Sequence, residues 1–340
     1  MEAVPGSSAR IADVAAFAGV GVATVSRVLN GRANVAAGTR DRVLEAIKAL
    51  DYRPSAIARN LSLQRTMVVG VVTPFLTNPS PIERVRGIVT ALGESPYDLA
   101  LFDVESAERQ RRAFRMFGDA HRTDGILIVS LVPPAEEIAR LASAGVAAVL
   151  VDARHDALPS VVIDDVEGGA IATRYLIELG HRRIAFIGDK PVDAFRFHSS
   201  RDRTVGYELA LTQANIPLRT EYVRAGTHSR HVARSIAEEL LRLPERPTAI
   251  FAASDTQALG VLEAARGLGI AVPDQLSVVG FDDIEIASFM GLTTVRQPLF
   301  ESGRRGAELL LQALAGNRPA AHVETLPLDL VVRGTTRPPA

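Results

Sequence analysis

Apolar residues recur at helical spacing in three short segments near the amino terminus. Glycine and other small residues separate the segments, whose apolar faces are Ile11, Val14, Ala15 and Ala18, then Val25, Val28 and Leu29, and finally Val43, Leu44, Ile47 and Leu50. Each segment predicts one short amphipathic helix, and Pro54 ends the third. We expect a helical domain over residues 1–50 and a linker with one further helical turn over residues 51–66.

After residue 66 the pattern changes to apolar, strand-like segments that alternate with helical ones. The predicted strands are Met67–Val72, Leu99–Phe102, Gly125–Val129, Ala147–Val151, Ser160–Ile163, Ile184–Ile187, Ala249–Ala252 and Ser277–Phe281. The predicted helices are Ile82–Leu92, Val166–Leu179, Arg203–Ala214, Val232–Leu241 and Thr256–Leu268. This alternation predicts βαβ units and parallel sheets covered on both faces. Two rounds of the pattern indicate two similar doubly wound lobes with a crevice between them.

Charge is unevenly distributed although the whole chain is nearly neutral. Residues 1–66 carry nine basic and five acidic side chains, a net charge of +4, whereas the remainder carries −5. The amino-terminal segment is therefore the candidate for contact with nucleic acid. The chain contains no cysteine, which excludes a disulfide framework, thiolate metal sites and thiol catalysis. Neither a signal peptide nor a long apolar run is apparent, so we expect a cytoplasmic protein, associated with the nucleoid and not with a membrane.

The first two predicted helices have the spacing of a helix-turn-helix motif, with Gly19 in the turn. In that geometry Arg27 can bind guanine or a phosphate, and small apolar side chains can contact thymine methyl groups. The predicted groove-facing residues are Val22, Ala23 and Arg27, and the predicted phosphate contacts are Thr24, Ser26 and Asn30. The alternative is a helical bundle without DNA-binding function.

The linker has the composition of a hinge that contacts DNA. Tyr52, Ala58 and Leu61 are its candidate DNA-contacting residues, and Leu61 can wedge into a minor groove and kink the duplex. The alternative for Leu61 is a core residue, because leucine at helical spacing usually packs inside a protein.

From Ile11 to about Pro338 the chain resembles the lactose-repressor type (LacI/GalR) family of bacterial transcription regulators. In the amino-terminal part the resemblance is carried by ATVSRVLNG at 23–31, TRDRVLEAI at 39–47 and DYRPSAIARNL at 51–61. In the larger part it is carried by SVVGFDD at 277–283, LTTVRQP at 292–298 and VVRGTT at 331–336.

The resemblance implies an all-α helix-turn-helix headpiece joined by a hinge to an α/β, periplasmic-binding-protein-like effector domain. The implied bounds are 1–50 for the headpiece, 51–66 for the hinge helix and linker, and 67–340 for the effector and dimerisation domain. The first lobe would span about 67–163 and 294–325, and the second about 164–293 and 326–336. The family binds palindromic operator DNA as a dimer, with affinity controlled by a small effector. We expect a homodimer and no metal or cofactor.

Polar residues at strand ends are the candidates for effector binding, because ligands of open parallel sheets bind beyond the carboxyl ends of the strands. Asp152, Ser254, Asp255 and Asp282 follow predicted strands, and Arg203 is expected just before a helix. Converging carboxylates and a guanidinium suit a polyhydroxylated ligand. Each aspartate singly is as readily a helix cap or a turn residue.

The resemblance implies different roles for these candidate residues. It implies that Asp152, Arg203, Ser254 and Asp282 line the cleft, whereas Asp255 has a structural position at a helix start. His228 stands where the family often has an aromatic ring over the ligand, and a plain surface histidine is the alternative.

The chain departs from the family pattern at several positions. Gly21 and Ala36 replace the usual serine caps. We therefore expect a headpiece that is marginally stable alone and becomes more stable when it binds DNA. Asn78-Pro79 is followed by Ser80-Pro81 where two aromatic residues are usual, and Phe195 or Phe197 is expected to fill that space. Among small effectors, a sugar or sugar derivative is favoured over a purine.

Three alternatives remain for the effector domain. An enzyme is disfavoured, because no activated nucleophile, phosphate-binding glycine loop or metal cluster is apparent. A sugar-binding transport protein is disfavoured by the basic headpiece and by the lack of a signal peptide. A DNA-binding regulator controlled by a protein corepressor or a non-sugar metabolite stays open, because the usual stacking aromatics are missing.

Overall fold

The computed structural model describes residues 9–29, 35–52, 65–117, 122–190, 195, 197–317 and 321–340. The chain divides into two compact units, Met1–Thr66 and Met67–Ala340. Within the described residues, no single helix is long and apolar enough to cross a membrane; α1 and α2, defined below, reach the required length and composition only together and are bent by 104° at their junction.

Three helices form the amino-terminal unit: α1 (Ile11–Ala18), α2 (Val22–Leu29) and α3 (Ala37–Ala49). Gly19 ends α1 at φ +64°, a left-handed conformation that glycine adopts without strain. Val14, Val25 and Val43 are fully buried where the three helices meet. The expectation for Leu44 is wrong, because Leu44 is 51% exposed and Ala46 on the neighbouring face is buried instead. The helix is rotated so that the smaller side chain faces the crowded centre.

The first lobe of the larger unit has a six-stranded parallel sheet in the order β11-β5-β4-β3-β1-β2. Its strands are β1 (Val68–Pro74), β2 (Asp98–Val104), β3 (Gly125–Val129), β4 (Ala147–Val151), β5 (Ser160–Val162) and β11 (Val323–Thr325). Its helices are α4 (Pro79–Leu92), α5 (Ala107–Phe117), α6 (Ala135–Ser143) and α12 (Leu299–Leu314). Strands β3 and β4 are almost continuously apolar because helices cover both faces of the sheet.

The second lobe repeats this architecture with the order β12-β10-β9-β8-β6-β7, in which β12 alone runs antiparallel among the described strands. Its strands are β6 (Ile184–Asp189), β7 (Val223–Gly226), β8 (Ala249–Ala252), β9 (Ser277–Asp282), β10 (Thr293–Arg296) and β12 (Asp329–Val331). Its helices are α7 (Asp165–Glu178), α8 (Ser199–Gln213), α9 (Arg230–Leu241), α10 (Asp255–Gly267) and α11 (Glu285–Phe289), with a 3-10 turn at Thr220–Tyr222.

Close helix packing orients α4 against α12. A Cβ atom on Gly87 would lie 1.9 Å from the carbonyl oxygen of Phe300, and one on Gly303 would lie 1.9 Å from that of Arg84. Both positions therefore require glycine, and they hold the backbones of α4 and α12 in contact. This contact matters for the cleft because α4 also carries Arg84.

The fold class expected from the sequence is confirmed, with two differences in detail. Arg203 lies within α8 and not before it, because the helix begins four residues earlier, at Ser199. Strand β10 belongs to the second sheet, so the chain returns to the first lobe after Arg296 rather than at the expected position 294.

Candidate functional site

Helix α2 presents two chemically different faces. Val25 and Val28 are buried against the other helices, whereas Val22, Ala23 and Arg27 are exposed. Thr24 and Ser26 are half-buried at the boundary between the faces. The exposed face thus holds the residues expected to enter the groove, and Asn30 lies outside the described residues.

Tyr52 is placed in the core of the amino-terminal unit. It is 8% exposed and packs in the same cluster as Val14, Val25 and Val43, and its N–H donates to the carbonyl of Ile47 at 3.0 Å. The burial of Tyr52 does not agree with its expected contact with DNA, because the ring packs inside the core of the amino-terminal unit. The expected hinge contacts Ala58 and Leu61 lie outside the described residues.

Asp152 lies in the crevice between the two sheets of the larger unit, immediately after β4. Its Oδ1 lies 2.7 Å from Nη2 of Arg84, and its Oδ2 accepts a hydrogen bond of 2.6 Å from the Ser130 hydroxyl. Ser130 itself follows β3, so the ends of two neighbouring strands meet here. Both carboxylate oxygens of Asp152 therefore have partners from the first lobe.

Arg203 is buried on the opposite side of the crevice. Its Nε donates to Oδ1 of Asp165 at 2.8 Å, and its Nη1 donates to the carbonyl of Ala253 at 2.5 Å. The guanidinium also lies 3.6 Å from the centre of the Phe281 ring. Burial alone would lower the pKa of Arg203, but the charges of Asp165 and Asp282 outweigh that effect and raise it.

Asp282 ends β9 and is linked to the first lobe through Gln297. The Gln297 amide donates to Oδ1 of Asp282, and its Oε1 accepts a hydrogen bond of 2.9 Å from Arg84. Nη1 of Arg203 lies 3.9 Å from the same Asp282 oxygen. A continuous polar chain therefore runs from Arg84 in the first lobe through Gln297 to Asp282 and Arg203 in the second.

Burial changes the proton affinity of two of these carboxyls. Removal from water raises the pKa of Asp165 to about 6, although the neighbouring Arg203 charge acts in the opposite direction. Burial also raises the pKa of Asp282, again against the effect of Arg203. The arrangement can thus accept hydroxyl donors, and Asp165 can take up a proton near pH 6.

Ser254 and Asp255 begin α10 and have structural contacts. The Ser254 hydroxyl caps the helix by accepting the Gln257 N–H at 3.2 Å. The Asp255 carboxylate accepts the Ile284 N–H at 2.9 Å and the Thr294 hydroxyl at 2.6 Å, which ties α10 to the neighbouring loop and strand. In this arrangement the Ser254 hydroxyl serves as a helix cap, and the cleft-lining role that the resemblance implies for it stays a prediction.

His228 is partly exposed beside Asp189, with its Nδ1 3.2 Å from the Asp189 carboxylate. Burial lowers the pKa of His228, but the hydrogen bond and charge of Asp189 outweigh it and raise the pKa above the usual value. Gln257 also donates to Asp189, at 2.9 Å. His228 is therefore joined to the helix capped by Ser254 and is not an isolated surface side chain.

An aromatic cluster joins the lobes beside a cavity of about 360 Å³. The ring of Phe195 lies 5.6 Å from that of Phe75 and 5.3 Å from that of Phe197, and Phe195 packs into the first-lobe core. Phe197 lines the cavity together with Asp152 and Asp165. Both rings contact Phe75, three residues before Asn78, and their expected role in filling the space of the missing aromatics stays a prediction.

Several cleft residues were not found by sequence reasoning. Arg84, Gln297, Asp165 and Asp189 all contact expected site residues. Asp165 and Asp189 stand at a strand end or helix start, so the rule applied to the other aspartates would have found them. Nothing local distinguishes Arg84 from a solvent-facing helix residue.

Comparison with known proteins agrees with this architecture. Residues 10–55 match the model for "Bacterial regulatory proteins, lacI family", and residues 173–336 match that for a periplasmic binding protein-like domain. The chain is 33% identical to catabolite control protein A of Priestia megaterium, over 96% of this chain and 99% of the relative.

Solved structures of regulators are also similar over nearly the whole chain, and two examples follow. The lac repressor dimer bound to operator and the anti-inducer ONPF has a TM-score of 0.84 at 29% identity, covering 97% of this chain and 100% of that one. A complex of the transcriptional regulator CelR with cellobiose has a TM-score of 0.71 at 32% identity, covering 96% of this chain and 99% of that one. The chain belongs to the lacI family of bacterial regulatory proteins and is a DNA-binding transcription regulator with a periplasmic-binding-protein-like domain.

Proposed function

We propose that this regulator is a cytoplasmic, nucleoid-associated repressor that binds a palindromic operator as a homodimer and changes its operator affinity when a small polar effector occupies the cleft. The polar chain from Arg84 through Gln297 to Asp282 is the observation that supports this most strongly. It crosses between the lobes, so a ligand that replaces any of its hydrogen bonds changes the relative stability of two lobe arrangements.

The DNA-binding part of the proposal rests on α2. Its exposed face carries Arg27 within a unit of net charge +4, and an arginine on such a helix can bind guanine in the major groove. Specificity is therefore assigned to α2, whereas Thr24 and Ser26 are assigned to phosphate contacts.

The homodimer is supported by apolar side chains left at the surface of both lobes. Ile82 and Val89 on α4 are 42% and 50% exposed, and Phe289 on α11 is 84% exposed. A contiguous apolar surface, such as the one that Ile82, Val85 and Val89 form on α4, often marks an interface. A second copy of the chain would cover these side chains, and it would also supply the second headpiece for a palindrome.

The effector is assigned to a polyhydroxylated, sugar-like class. The cavity is lined by Asp152, Asp164, Asp165 and Asp202, whose oxygens accept hydrogen bonds, and by Phe197. CelR is a relative whose structure holds cellobiose. A binding role without catalysis follows from the same proposal.

Selection of duplexes from a random pool by the purified chain tests the proposal. We expect enrichment of a palindrome with two equal half-sites, and binding that changes when a sugar-like ligand is added. Enrichment of a single, non-repeated site would contradict the dimer, and no enrichment above non-specific binding would contradict the regulator role of this chain on DNA.

A further inference from the structure

Arg84 carries its guanidinium toward the cleft residue Asp152, and its side chain is far more buried than that of Arg86 on the same helix. The side chain is 3% exposed, whereas Arg86 on the same helix is 65% exposed. Nη2 of Arg84 contacts both Asp152 and Gln297. A buried positive charge at this position is therefore part of the effector cleft.

The protein does not satisfy all the donors of Arg84. Its Nε is buried and has no hydrogen-bond partner within the described part of the chain. A buried donor without an acceptor destabilises the protein. Arg84, which contacts the cleft residue Asp152, thus retains a donor that an acceptor group on a ligand would match.

We propose that Arg84 is a specificity-determining residue, and that the effector carries a carboxylate or phosphate on a polyhydroxylated body, as in a sugar acid or a sugar phosphate. This rests on the proposed function and names its ligand class. A charged acceptor gives Arg84 hydrogen bonds about twice as strong as a neutral one does. The hydroxyls of a neutral sugar instead compete with Arg84 for the Asp152 carboxylate.

The surrounding carboxyls determine how such an anion is accommodated. Asp152, Asp165 and Asp282 surround the Arg84 and Arg203 guanidiniums, so an anionic ligand adds to an excess of negative charge. Burial raises the pKa of Asp165 to about 6 and also raises that of Asp282. Binding of the anion raises them further and takes up a proton. The acid ligand therefore binds more tightly near pH 6 than near pH 8.

Calorimetric titration of the full chain with matched pairs tests this inference. The probes are D-gluconate, D-galacturonate and glucose 6-phosphate, each beside the neutral sugar of the same configuration. We expect at least one acid to bind about tenfold or more tightly than its neutral partner, and Arg84→Met to reduce that ratio to about threefold or less. A carboxylate source and a phosphate source are distinguished by which pair shows the preference.

Arg86→Met is the matched control, because Arg86 lies half a turn away and pairs only with Glu83 among the described residues. It should leave the acid-to-neutral ratio unchanged. If Arg84 has only a structural role, the Arg84→Met variant will have a lower melting temperature but the same acid-to-neutral affinity ratio as wild type. That result, tighter binding of the neutral sugars, or no binding of any of the three acids would overturn the inference.

Operator binding in the same preparations separates this inference from the proposed function. Operator affinity that responds to neutral sugars but not to acids would keep the regulator and refute the role of Arg84. Absence of specific operator binding both with and without ligand would instead contradict the proposed function.

Discussion

The Nε of Arg203 donates to Oδ1 of Asp165 at 2.8 Å, and this contact lies beside the cavity between the lobes. Asp165 is the first residue of α7, just after the chain passes from the first lobe to the second. A change in the protonation of Asp165 therefore changes the charge at the point where the chain passes between the lobes. The contact connects charge in the cleft with the relative position of the lobes.

Asp165 should make stability depend on pH. Its pKa is raised by burial to about 6 from 3.8 in the unfolded chain. The folded chain therefore binds more protons between these values, and the free energy of unfolding falls as pH rises from about 4 to about 6. The change in pKa from 3.8 to about 6 corresponds to on the order of 3 kcal/mol.

Denaturant unfolding of wild type and Asp165→Asn across this pH range measures the effect. The difference between the two should change from pH 4 to pH 6 and stay constant above pH 7. A difference that is constant over the whole range would show that Asp165 has an ordinary pKa.

Phe195 should contribute strongly to closure of the cleft. It is 3% exposed and packs with Phe75 and other residues of the first-lobe core. Phe195→Ala should lower the free energy of unfolding by about 3–5 kcal/mol, because it removes a ring from a packed interface. Leu218→Ala, at a position 45% exposed, is the control and should change little. Chemical denaturation followed by fluorescence or circular dichroism gives both values, and equal effects would refute the interlobe role of the ring.

The amino-terminal unit should gain stability from a better helix cap. Ala36 precedes α3 and makes no side-chain capping bond. Ala36→Ser should add about 1 kcal/mol by giving the helix a hydroxyl acceptor. Amide exchange in the full chain should slow at Val25 and Val43 in this variant, and adding operator DNA should slow it further in wild type. Strong protection of these amides in wild type without DNA would contradict the expected marginal stability.

Arg27 should determine operator choice and not merely affinity. Arg27→Ala should cost about 1–3 kcal/mol on the preferred operator and relax specificity at one base pair of each half-site. Binding to a set of single-base operator variants measures this. A uniform loss on all sequences, with a smaller salt dependence, would make Arg27 a phosphate contact instead.

The sequence predicted the large features because they repeat a simple pattern. Strands such as Gly125–Val129 and Ala147–Val151 are continuous apolar segments, and their bounds were predicted correctly. Strand β10, Thr293–Arg296, was missed because its polar residues are buried by partners distant in sequence, such as Thr335. Arg203 was placed before a helix because residues 199–202 are polar and lack apolar periodicity.

Side-chain roles in the cleft were harder to predict than the strands that hold them. Asp152, Asp282 and Arg203 were expected at one site, and the structure brings them together. Arg84 was missed because helical periodicity predicts that arginine faces solvent, and only its contacts with Asp152 and Gln297 explain its burial. Tyr52 was assigned to DNA, whereas packing of the small core requires its ring.

Ligand-gated operator binding is measured most directly by fluorescence anisotropy of a labelled palindromic duplex, titrated with the full chain at fixed salt, with and without a panel of sugars and sugar acids. We expect specific binding by wild type whose dissociation constant changes by about tenfold or more with at least one ligand. We also expect Asp282→Asn to keep operator binding but to lose most of that response, because Asp282 belongs to the polar chain between the lobes. Specific binding that no ligand alters in wild type, or an unchanged ligand response in Asp282→Asn, would contradict ligand control through the cleft.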